Sequence, residues 1–164
     1  MPNVGFFGGH TVHELGPAAD MQAFFACVNI AASRLHLDPA SLSLIDRLYR
    51  RYVRLEELQA TALVIERIRA VMAAIPPQNV DWNSITPPYG ATKLDISKPN
   101  LADLFSRYFL ALDDATKSAE SFYKKFGKYR PVLTIISDMP RFVIDEKRPM
   151  SDYDTLQGEP IWLR

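Results

Sequence analysis

NLADLFSRYFLALDDATKSAESFYKKFG, residues Asn100–Gly127, is the stretch that decides the fold class. Leu101, Phe105, Tyr108, Leu112, Ala115, Ala119, Phe122 and Phe126 recur at steps of four and three, which places one apolar stripe along an α-helix. Asn100 stands where an N-cap side chain accepts from the first turn. Gly127 stands where a left-handed residue ends a helix, and Lys124 and Lys125 suit the negative end of the helix dipole. A second stripe, Met21, Phe24, Phe25, Val28, Ala32 and Leu35, follows Pro17 and predicts a helix near 17–36. Ile30 falls on its far side, so more than one face of that helix is expected to be buried.

Between these helices, Asp38-Pro39 reads as an N-cap and first-turn proline, and no Gly or Pro follows until Pro76. As one straight helix, 39–75 would be about 55 Å long at 1.5 Å per residue, longer than a compact domain of this size is wide. Ile45, Leu48, Tyr52 and Leu55 share one heptad phase, and Leu58, Ile65, Ile68, Met72 and Ile75 share another. The phase slip predicts a break near 53–57, leaving either two helices or one kinked helix.

Pro76, Pro77, Pro87, Pro88 and Pro99 exclude a helix from 76–99, while Trp82, Ile85, Tyr89, Leu94 and Ile96 argue against a free linker. That segment either carries function or covers the core. Beyond Gly127 the period changes: Val132–Ile136 and Arg141–Ile144 are short β-branched runs with a turn at Ser137–Pro140. Two strands alone are marginal, so Val4-Gly5-Phe6-Phe7 is the expected third partner. The fold expected is mainly α, a bundle of four to five helices with a small C-terminal β element (α+β), in one globular domain over residues 1–164.

The composition agrees with a self-folding domain. Hydrophobic residues make up 48% and charged residues 23% of 164 positions, without a low-complexity tract. Lys plus Arg number 19 and Asp plus Glu 19, so no global field favours nucleic acid or an anionic membrane. A single cysteine makes no internal disulfide, the opening residues lack the pattern of a signal peptide, and no run of 18 apolar residues occurs. A cytoplasmic protein without membrane partners is expected.

Chemistry-bearing residues are sparse. His10, His13 and Glu14 would converge if helical, but their order matches neither zinc-binding motif of the HExxH or HxxEH type. Cys27 sits among Phe24, Val28 and Ile30, surroundings that make a thiol inert. Gly8-Gly9 lacks the Lys-Ser/Thr pair of a phosphate loop, and no serine sits in a GxSxG elbow. No catalytic residue, metal ligand or cofactor is assigned, and a binding protein is expected in preference to an enzyme.

Two charge features point to partner contact. Arg47, Arg50, Arg51 and Arg54 occupy i, i+3, i+4 and i+7 and would share one face of a continuous helix. There they either clamp an acidic surface or form a solvated face paired with Asp46, Glu56 and Glu57. Residues 138–163 hold six acids against three bases. Among them Asp145, Glu146, Asp152, Tyr153, Asp154 and Glu159 combine negative charge with an aromatic anchor, the composition of a binding patch.

The closing segment, Tyr153-Asp154-Thr155-Leu156-Gln157-Gly158-Glu159-Pro160-Ile161-Trp162-Leu163-Arg164, together with overall size, resembles the immunity proteins of bacterial contact-dependent growth inhibition and other polymorphic toxin systems. The resemblance implies a cytoplasmic, cofactor-free protein that binds one cognate protein toxin, often a nuclease, and occludes its active site. It transfers no residue role. An effector chaperone or scaffold, or a small metal-dependent enzyme using His10, His13 and Glu14, are the alternative classes.

Overall fold

A computed structural model describes residues 3–9, 11–85, 94–126 and 133–137. The chain opens with a hairpin, β1 (Asn3–Gly8) and β2 (Thr11–Pro17), and continues into α1 (Ala18–Leu35) and α2 (Pro39–Arg50). A two-residue strand β3 (Tyr52–Val53) and a 3-10 turn (Leu55–Glu57) lead to α3 (Leu58–Met72). A second 3-10 turn (Pro77–Asn79), a single helical turn α4 (Trp82–Ile85), α5 (Leu101–Leu104), α6 (Ser106–Phe126) and β4 (Leu133–Ser137) follow.

The molecule is mainly helical, of the α+β kind, but its sheet is not a C-terminal element. Four strands run in the order β2-β1-β4-β3, each pair antiparallel, so the N-terminal hairpin supplies half of the sheet and mid-chain residues supply an edge. β4 does pair with β1, matching Phe6 to Ile135 and Phe7 to Thr134. The Arg141–Ile144 run and the closing Ile161-Trp162-Leu163 lie outside the described residues. Strand β2 had no counterpart in the sequence reading, because Val12-His13-Glu14-Leu15 is too short to separate an edge strand from a loop.

The core lies between this sheet and the helices. Phe6 and Ile135, cross-strand neighbours on one face, are fully buried, as is Val53 at the β3 edge. α1 is the central helix, buried along most of its circumference as its two-sided apolar pattern predicts. Phe24 on α1 stands at the middle of an aromatic cluster, with ring centroids 5.1–6.4 Å from Phe6, Phe25, Phe105, Tyr108 and Phe109. His36, at φ 50°, ends α1 in the left-handed region.

Asp38 caps α2 as expected, its carboxylate accepting from the Ser41 N–H at 3.1 Å, with Pro39 at the first helical position. The break in 39–75 falls at 51–57 and yields two separate helices. Arg51 leaves helical geometry at φ −138°, ψ −105°, and Tyr52 and Val53 turn away to pair with Thr134 and Leu133. Between Pro77 and Pro87 the sequence excluded helix, yet α4 fits one turn there, its Trp82 indole N–H donating to the Pro77 carbonyl at 2.9 Å. Asn100 caps the next helix through the Asp103 N–H at 2.9 Å. Phe105, at φ −103°, ψ 22°, divides the expected single helix into α5 and α6, while the apolar stripe runs on unbroken from Leu101 to Ala119.

Candidate functional site

α3 and α6 lie side by side, and their seam opens into a cleft of about 150 Å³. Successive turns of α3 present Thr61, Ile65 and Arg69 to it, and α6 presents Phe109, Leu112, Asp113 and Thr116. Ile65, Phe109 and Leu112 are buried and form an apolar floor. The Thr61 and Thr116 hydroxyls each donate to a backbone carbonyl one turn earlier in their own segment, Glu57 and Leu112, both at 2.8 Å. Neither threonine presents an unsatisfied hydroxyl proton to the cleft.

The rim is charged. Arg69 holds its guanidinium carbon 5.4 Å from the Phe109 ring centroid, a cation–π contact between α3 and α6. Asp113 on the opposite lip binds Lys117 at 2.9 Å, and that hydrogen bond, then the charge, raises the Lys117 pKa. Glu66 stands exposed on the α3 lip, and Ala62 leaves that lip low. On α6, Leu110 is 61% exposed, one of several large apolar side chains that face solvent singly, as is ordinary for a protein surface. Ile65 and Leu112 were legible as members of their helices' apolar stripes, but no sequence signal marked the pairing of the two helices.

The four arginines do not share one helical face. Arg47 and Arg50 occupy the last turn of α2, Arg51 lies past its end, and Arg54 is the N-cap of the 3-10 turn. The same break that creates β3 disperses the stripe. Arg47 pairs with Glu57, whose second carboxylate oxygen accepts from the Arg54 backbone N–H at 3.2 Å, and Arg50 pairs with Asp46 at 2.7 Å while lying over the Tyr49 ring. Arg51 and Arg54 are half-buried and engaged. Of Asp46, Glu56 and Glu57, named in the sequence as pairing acids, Asp46 and Glu57 pair with Arg50 and Arg47, and the Arg47–Glu57 pair is half-buried and not a solvated face.

Asp145, Glu146, Asp152, Tyr153, Asp154 and Glu159 lie outside the described residues, as does His10. His13 and Glu14 are neighbours on a strand and project to opposite faces of the sheet, so the helix on which His10, His13 and Glu14 were expected to converge does not form over Thr11–Pro17. Glu14 accepts from the Asn3 side-chain amide at 3.1 Å. Among the described residues no three His, Cys, Asp or Glu side chains are grouped to hold a metal ion.

Cys27 is fully buried in α1, and that burial pushes its thiol up to about 12. Tyr108 is also raised, by burial first and by the Asp20 carboxylate second. Asp20, 3% exposed in the first turn of α1, sits at the positive end of the helix dipole. These buried groups belong to the core.

Among the described residues no helix is long and apolar enough to cross a membrane. No family model, no curated protein and no solved structure matches the chain.

Proposed function

We propose that this protein acts by stoichiometric binding of another protein, in the manner of an immunity protein that occludes the active site of a cognate toxin. The observation that supports binding is the α3–α6 cleft, lined by Thr61, Glu66, Asp113 and Thr116 and by Arg69 stacked on the buried Phe109 ring. Aromatic and arginine anchors within a charged rim are what protein interfaces use at their centres. The toxin-neutralising part of the reading rests on the resemblance of the closing segment, and it places the protein in the cytoplasm with no cofactor.

The acidic segment with Asp145, Glu146, Asp152, Tyr153, Asp154 and Glu159 is the second surface in this reading, since a nuclease presents a positive cleft to phosphates and an acidic plug complements it. Arg47, Arg50, Arg51 and Arg54 remain contact candidates in this reading, all of them half-buried, with the Arg50 side chain 40% exposed. Co-expression with the product of the adjacent gene, followed by co-purification and growth rescue, tests the function. A one-to-one complex and restored growth are expected; a toxic neighbour that is neither bound nor neutralised overturns the reading.

A further inference from the structure

We draw no further inference here: the strongest candidate, the outer edge of strand β2, where Val12 and Glu14 are exposed and no strand pairs beyond them among the described residues, carries none because nothing in the structure shows what covers it.

Discussion

Gly8 lies so close to Ala115 that a Cβ on the glycine would stand 1.9 Å from the Ala115 carbonyl oxygen. The first hairpin thus rests its tip directly on the backbone of α6, and the next residue, Gly9, adopts φ +66° against Phe122. Contact of this kind fixes how far α6 sits from the sheet, and so where the α3–α6 seam opens.

Gly8→Ala is therefore expected to destabilise the fold by about 1–3 kcal/mol, the cost of overpacking against atoms that cannot rotate away. A melting temperature several degrees lower should accompany it. Gly16→Ala is the control, since a Cβ there meets nothing within 4 Å; equal melting of the two variants would contradict the contact.

Phe24 contacts five other aromatic rings at once. Its replacement by alanine should cost about 3–5 kcal/mol and by leucine distinctly less, because the larger residue leaves a smaller cavity. Urea unfolding monitored by circular dichroism ranks the two.

Glu57→Gln and Asp46→Asn remove one charge each from the arginine corner. The Arg47–Glu57 pair is 18% and 24% exposed, whereas Arg50–Asp46 is 40% and 57% exposed. The first change should cost about 1–2 kcal/mol because it strands a partly desolvated guanidinium, and the second no more than about 0.5 kcal/mol. Denaturation midpoints in the reverse order would show that Glu57 does not anchor this corner.

Cys27 should resist thiol reagents at pH 8, since a thiol raised to about 12 is almost wholly protonated and its side chain is out of contact with solvent. Modification is expected only at the rate of unfolding, and should become fast in denaturant. Rapid labelling of the native protein would place Cys27 outside the core.

Asp38 is held below the ordinary carboxylate range by its hydrogen bonds from Ser41. The folded state favours the ionised form, so this contribution is present above about pH 4, the unfolded value, and is lost as pH falls through the lower folded value. Asp38→Asn keeps a capping acceptor without a titrating group, so wild type and variant should differ most near neutrality and converge in acid. A gap in thermal stability that is constant from pH 7 to pH 2 would exclude this linkage.

Helix periods, the caps at Asp38 and Asn100 and a break near 53–57, observed at 51–57, were legible in the chain because they depend on residues a few positions apart. Asn100, Asp38 and the phase slip after Leu55 each act within about two turns of helix, and Val4–Phe7 was expected to join the run at 132–136 because two short strands alone are marginal. What β3 and β2 do depends on distant partners: Tyr52-Val53 leaves helical geometry to meet Leu133 and Thr134, some eighty residues away. That pairing splits the arginine stripe, turns a pattern of four on one face into two local ion pairs, and could not be seen from i, i+3 and i+4 spacing. The α3–α6 cleft is of the same kind. Arg69 and Phe109 are forty residues apart, and each is an ordinary member of its own helix. Their stacking, and the choice of which exposed carboxylates face each other across the seam, arises only when packing against Phe24 and the sheet sets the two helices side by side.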